Sequence, residues 1–165
     1  MYQPVTMNAI WAHEICQWNY DAPYDIYSFQ EDEETIEELL DGNYYAVLNA
    51  DRELFGFYCY GISARVDSGA AYYIDSAIDI GLALAPKNCG QGKGFDFLKQ
   101  GLSFGKFLYP AEKYRFRLTV ISWNTRAIKL YQKSGFQQIG SFQMSGIPFI
   151  VMLNSACCNN DSHML

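Results

Sequence analysis

The 165-residue chain is half apolar, carries 18% charged residues and has a formal net charge of −6. That length and apolar content suit one domain with a sizeable core and exclude a disordered or fibrous chain. No apolar run approaches the ~20 residues of a membrane helix, and the acidic balance argues against nucleic acid as a partner. Residues 1–10 lack the basic start and apolar stretch of a secretory signal, so a soluble cytoplasmic protein is expected. Five cysteines occur without a C-x-x-C pair, and His13 and His163 lie far apart in the sequence. Free thiols are expected and no metal site. Cys157 and Cys158 fall in a polar tail, residues 154–165, that is expected to be flexible.

In chain order, Thr6 and Asn8 can cap a helix running through about Trp18. An aromatic loop follows, with Trp18, Tyr20, Tyr24 and Tyr27, broken by Pro23. Residues 31–40 form a second expected helix, whose acidic first turn suits the helix dipole and whose end is followed by Gly42. Residues 44–50 and 54–60 are strands around an Asp51-Arg52-Glu53 turn, and residues 63–70 are expected to be loop. Residues 78–84 form a third strand, stopped before Pro86. A glycine-rich turn at residues 88–94 leads into a helix with Phe95, Leu98, Leu102 and Phe104 or Phe107 at helical spacing, ended by Pro110. Residues 115–121 have strong strand propensity. Asn124 can cap a helix that runs to Ser134 and stops at Gly135. Two last strands, 136–144 and 147–153, hinge at residues 145–148. The order is α+β, a single domain over residues 1–153.

Gly90, Gly92 and Gly94 alternate directly after a strand and before a helix. Without Cβ atoms the backbone can curl its N–H groups inward, and with the helix N-terminus these donors suit phosphate oxygens. Lys87 and Lys93 flank the turn. The bland alternative is a tight turn and nothing more. The G-x-G-x-G spacing is not the dinucleotide fingerprint, and Gly92-Lys93 is followed by Gly94 rather than Ser or Thr, so the Walker loop is not matched either.

Cys89-Gly-Gln-Gly-Lys-Gly94 resembles the pyrophosphate loop Q/R-x-x-G-x-G/A of the GNAT superfamily of N-acetyltransferases. Asn124-Thr-Arg-Ala-Ile-Lys-Leu-Tyr131-Gln-Lys-Ser-Gly135-Phe136 resembles that family's second signature, N-x-x-A-x-x-L-Y-x-x-x-G-F. The gap between the two and the order of elements also match, so the resemblance covers nearly the whole chain. Cys89 departs from the usual Gln or Arg. The resemblance implies a GNAT-like fold, a mostly antiparallel twisted sheet of about six to seven strands with about four helices. It further implies that strand 78–84 splays from strand 115–121.

In that reading acetyl-CoA is the cosubstrate. Its pantetheine arm lies in the opening against Leu82, Ala83 and Leu84, its phosphates sit on Cys89, Gly90, Gln91, Gly92, Lys93 and Gly94, and Asn124 touches the arm. Tyr131, by the same resemblance, returns a proton to the CoA thiolate, which suits a phenol near pKa 10. Asp79 lies on the strand beside the thioester and is the candidate proton acceptor for the amine; its bland alternative is an exposed strand residue. Asp75 and Glu14 are weaker candidates. A covalent role for Cys89 is disfavoured, since no histidine is near in sequence and the loop places the thiol by the pyrophosphate. His13 reads as a surface residue, and the aromatic loop could line an acceptor pocket or simply pack.

Residues 1–53 carry twelve acidic residues and one basic residue, whereas residues 87–133 carry ten basic and two acidic. Opposite fields would draw CoA phosphates to the basic side and a cationic amine to the acidic side, with Glu31, Asp32, Glu33 and Glu34 supplying field. The expected partners are acetyl-CoA and an amine, with a homodimer among the assemblies the resemblance allows and neither nucleic acid nor membrane. The alternative function is a non-catalytic acyl-CoA-binding or regulatory domain of the same fold.

Overall fold

The computed structural model describes residues 2–74, 76–110 and 115–155. Among the described residues, seven strands form one sheet: β1 Gln3–Thr6, β2 Tyr44–Leu48, β3 Leu54–Tyr60, β4 Ile78–Leu84, β5 Arg115–Ile121, β6 Gln137–Met144 and β7 Ile147–Ser155. Four described α-helices accompany them: α1 Ala9–Cys16, α2 Glu33–Leu39, α3 Gly94–Leu108 and α4 Thr125–Lys133. The strand order is β1-β2-β3-β4-β5-β7-β6. Every neighbouring pair is antiparallel except β4 and β5. This is the mixed, mostly antiparallel architecture that the sequence led us to expect.

All seven residues of β3 are buried, because the sheet is covered on both faces. On one face α3 and α4 pack over Tyr58, Tyr60, Phe116 and Leu118, with Phe97 and Leu98 supplied by α3. On the other, α1 and α2 pack over Tyr44, Phe57 and Cys59, with Ile15 supplied by α1, Leu39 by α2 and Trp18 by the loop after α1. The successive β3 residues Phe57, Tyr58, Cys59 and Tyr60 alternate between these two cores, as the period of two requires. Two β3 phenols also fix α3 directly. Tyr58 donates to the carbonyl of Phe97 and Tyr60 to that of Gly101, both at 2.7 Å.

The helix ends follow from local chemistry. Asn8 caps α1 by accepting from Trp11 N, and Asp32 caps α2 by accepting from Thr35 N. Asn124 caps α4 by accepting from Ala127 N. At the other end of α4, Gly135 has φ +85, its N–H donates to Gln132 O, and Phe136 N–H donates to Tyr131 O. These are the two bonds of a Schellman ending, and the accompanying apolar contact is the edge-on packing of Tyr131 against Phe136. The L-Y-x-x-x-G-F spacing is thus a helix terminator as well as a site motif. α3 differs: Lys93 stands at its N-cap position and no side chain caps it.

Several expectations need correction. Residues 3–6, passed over in the sequence, form the edge strand β1, short and interrupted by Pro4 as edge strands tolerate. α1 ends at Cys16 rather than Trp18. Asn49 belongs to the turn, not to β2, because its Oδ1 accepts from Asp51 N and Glu53 N. The loop expected at residues 63–70 contains two 3-10 turns, Gly61–Ala64 and Asp67–Tyr72. Asn154 belongs to β7 rather than to a tail, and its amide donates to Ser134 O. Cys157, Cys158, His163 and Asp75 lie outside the described residues. No described helix is long and apolar enough to cross a membrane.

Candidate functional site

β4 and β5 are paired only at Ile78 with Phe116 and Asp79 with Arg117. Beyond that point β4 stays with β3, β5 stays with β7, and the two strands diverge. The wedge between them opens into a cavity of about 720 Å³. The glycine turn and the starts of α3 and α4 line one end; Tyr44, Phe57, Ser63 and Arg65 line the other; and Tyr20, Tyr24, Tyr27 and Phe29 come from the aromatic loop.

At the glycine end, Gly90 has φ +72 and Gly92 has φ +73, conformations that L side chains rarely adopt. A Cβ at either would meet nothing within 4 Å. The glycines are therefore required by backbone conformation, and the room beside them is free for a ligand. The uncapped N-terminus of α3 adds N–H donors to the same place. Lys93, Arg126 and Lys133 line the cavity. Each is steadied by an aromatic ring: Lys93 on Phe55 at 5.2 Å, Arg126 on Tyr24 at 4.8 Å and Lys133 on Phe95 at 5.5 Å. Gln91 does not line the cavity; its amide donates to Lys87 O at 2.6 Å. Lys87 is exposed and 3.9 Å from Glu53.

Arg126 and Lys133 were not singled out in the sequence. A signal existed for the first. A cation in the opening turn of a helix opposes the helix dipole, and α4 has no acidic residue there to offset it.

In the middle of the cavity, Leu82, Ala83 and Leu84 form the open edge of β4. The Leu84 carbonyl accepts from the Tyr20 hydroxyl at 2.7 Å instead of from β3. By the alternation of an antiparallel ladder, the N–H and C=O of Leu82 share that side. Asn124 lines the cavity and, besides capping α4, donates from Nδ2 to the Tyr27 hydroxyl at 3.0 Å. Tyr131 lines the cavity from α4, and its hydroxyl has no hydrogen-bond partner among the described residues. Burial pushes its pKa well above the usual phenol value, and the nearby Tyr27 adds to the effect.

The two thiols in the cavity are held protonated. Burial pushes the Cys59 thiol up to about 12. Burial also raises Cys89, against a smaller opposing pull from Arg126. The Cys89 thiol points at the carbonyls of Leu84 and Ala85.

Asp79 is placed differently from the expectation. It is not an exposed strand residue, nor does it line the cavity. It is 2% exposed; Arg117 grips it through Nε and Nη2, and Arg65 Nε donates to Oδ2 at 2.7 Å. Arg117 is fully buried and also donates to Tyr72 O. Both guanidinium groups lie near the Tyr73 ring, at 5.1 and 5.3 Å, and the Tyr73 hydroxyl bonds Thr119 Oγ1. With both oxygens engaged by guanidinium groups, Asp79 is a structural anchor rather than a proton acceptor facing the cleft.

The acidic segment also stands apart. Glu31 pairs with His13 at 3.1 Å and with Gln17 on the outer surface of α1, and Glu33 and Glu34 open α2. Glu14 is exposed on α1. Among the described residues, no aspartate, glutamate or histidine lines the cavity, and no group of three metal-ligating side chains occurs. Arg117, counted with the basic stretch, is consumed internally by Asp79 and does not face the phosphate end.

Residues 12–136 match the family model of the Acetyltransferase (GNAT) family. No curated protein sequence matches the chain significantly. Among solved structures, AAC(6')-Ib in complex with ribostamycin and coenzyme A aligns with a TM-score of 0.73 at 17% identity, covering 98% of this chain and 99% of that one. A GNAT-family acetyltransferase from Bacillus anthracis aligns with a TM-score of 0.70 at 13% identity, covering 93% and 94%. The spermidine/spermine N-acetyltransferase SpeG from Vibrio cholerae aligns with a TM-score of 0.66 at 18% identity, covering 93% and 92%. At these identities the likeness is one of fold.

Asp79→Asn keeps the shape of the anchor but leaves two guanidinium groups without their counter-charge. The expected outcome is a stability loss of about 3 kcal/mol or more, a fall in Tm on the order of 10 °C in thermal melts. An unchanged Tm combined with a collapse of turnover would instead mark Asp79 as a proton acceptor.

Proposed function

The chain belongs to the GNAT acetyltransferase family, and on that premise we propose that it moves the acetyl group of acetyl-CoA to a primary amine by direct attack. One observation carries the reading. A single cavity joins a cationic, glycine-lined end to an open strand edge and to the unpartnered phenol of Tyr131. Names such as spermidine/spermine N-acetyltransferase among the structural neighbours support an amine as acceptor.

The residues present fit acetyl-CoA. The N–H groups around Gly90 and Gly92, the α3 N-terminus, Lys93, Arg126 and Lys133 would hold its phosphates. The edge groups of Leu82 and Leu84 would pair with an amide-bearing arm, Tyr20 at present bonding one of them. Acetyl-CoA supplies an activated acyl group.

The amine lone pair attacks the thioester carbon; the C–N bond forms, the C–S bond breaks, and the sulfur leaves with the electron pair. Tyr131 donates its proton to that sulfur. Its raised pKa is no obstacle, because the burial that disfavours phenolate disfavours thiolate in the same cavity. With no described carboxylate or histidine in the cavity, the amine releases its proton to water, and water returns a proton to the Tyr131 phenolate. The protonated state of Cys59 and Cys89 supports direct attack over an acyl-enzyme. The position of the Tyr131 hydroxyl supports an enzyme over a domain that only binds acyl-CoA.

Three measurements test this reading. Gly92→Val should strain the loop and intrude on the ligand. CoA affinity in a calorimetric titration is expected to fall more than tenfold, about 1.4 kcal/mol, with the fold intact; unchanged affinity would remove the loop from the site. Tyr131→Phe is expected to hold the KM for acetyl-CoA and lower kcat roughly 10²-fold; full turnover would mean that another group protonates the thiolate. Without a protein base, the acidic limb of kcat/KM should follow the acceptor, moving about one pH unit for each unit of amine pKa. A limb near pH 6–7 common to all amines would reveal an enzymic base.

A further inference from the structure

We propose that Arg65 is a carboxylate receptor in the acceptor half of the cleft, and that the amine acetylated here is a small amino acid with an apolar side chain. The inference rests on the acetyltransferase reading and names its acceptor.

Arg65 lines the cavity just beyond the 3-10 turn Gly61–Ala64. Its Nε donates to Asp79, and its guanidinium sits 5.3 Å from the centre of the Tyr73 ring. Neither Nη makes a hydrogen bond among the described residues, and the side chain is 35% exposed. The fork is therefore anchored at one corner and unoccupied at its outer edge. A planar guanidinium held in this way loses little further freedom on taking a carboxylate through two N–H groups.

Charge in the cavity points the same way. The charged lining residues are Arg65, Lys93, Arg126 and Lys133, with no described carboxylate among them. The last three cluster at the glycine end, where phosphates account for them. Arg65 stands at the other end with no phosphate to meet. Asp79, its anchor, precedes Leu82 by three residues, about 10 Å along the strand. The fork and the thioester end of the arm thus share one cavity, about a small molecule's length apart.

The neighbouring wall is apolar. Phe29, Tyr44 and Phe57 line it, with the Phe29 and Tyr44 rings packed on Phe57; the Tyr44 hydroxyl is spent on Glu38, and the Cys59 thiol is held protonated. An apolar side chain suits that wall and a carboxylate suits Arg65. A polycation would bring ammonium groups toward the Arg65 guanidinium in a cavity whose lining holds no described carboxylate to pair with them, an arrangement that like-charge repulsion disfavours. The acidic segment that suggested a cationic acceptor lies outside this space.

The test compares L-phenylalanine with L-phenylalaninamide, and L-leucine with L-leucinamide, by thiol release from acetyl-CoA. Spermidine forms a third arm, and rates are taken per neutral amine. The expected result is a kcat/KM at least tenfold higher for each acid than for its carboxamide, with the ratio falling to near one in Arg65→Gln. Calorimetry with N-acetyl-L-phenylalanine gives a readout without turnover, and Arg65→Gln should weaken that binding at least tenfold. Should Arg65→Gln fail to fold, the acid-to-amide ratio of the unaltered protein decides alone. Carboxamides or spermidine acetylated as well as the acids would overturn the carboxylate assignment and leave the acetyltransferase reading standing. Acetyl-CoA bound with no amine acetylated would overturn both.

Discussion

The cleft depends on one ion pair at one strand junction. Asp79 and Arg117 are register partners at the only parallel contact among the described strands, and that contact lasts two residues. A buried charge pair is costly to desolvate, so it persists only where geometry is good and the remaining donors are satisfied. Here Arg117 has Asp79 on one side, Tyr72 O on another and the Tyr73 ring beside it. The pair fixes where β4 meets β5. Beyond it β5 follows β7 over its full length and β4 follows β3, so the strands have no reason to rejoin.

An open strand edge inside a protein leaves backbone groups that need partners. In this molecule the aromatic loop after α1 supplies one, with Tyr20 on the Leu84 carbonyl, while Tyr27 bonds Asn124 across the cleft. The loop therefore closes the wedge without filling it. The same anchor shapes both ends of the cavity. Asp79 positions Arg65, its second guanidinium partner, and the path of β4 delivers the chain to the glycine turn and α3.

Much of this was legible in the sequence. Strands 78–84 and 115–121 have the bounds their propensities gave, and the glycine turn and α4 signature sit where local rules put them. What could not be read was pairing across the chain. Asp79 lies 38 residues from Arg117, and a parallel register leaves no local mark. Alternation alone put Asp79 on the face away from the core, and only the register shows that an arginine fills that face. The acidic segment was legible as charge but not as position, since its helix docks on α1 rather than over the cavity. β1 was missed because four residues with a central proline carry almost no periodicity.

Backbone hydrogen–deuterium exchange of the unaltered protein, with and without CoA, tests the central claim most directly. If the wedge between β4 and β5 holds the cosubstrate, CoA should slow exchange at the Gly90–Gly94 turn, the first turn of α3 and the amides of Leu82 and Leu84. The outer surface of α1 and α2 should be unchanged. Saturating CoA with no protection along this path, or with protection confined to another face, would contradict the account.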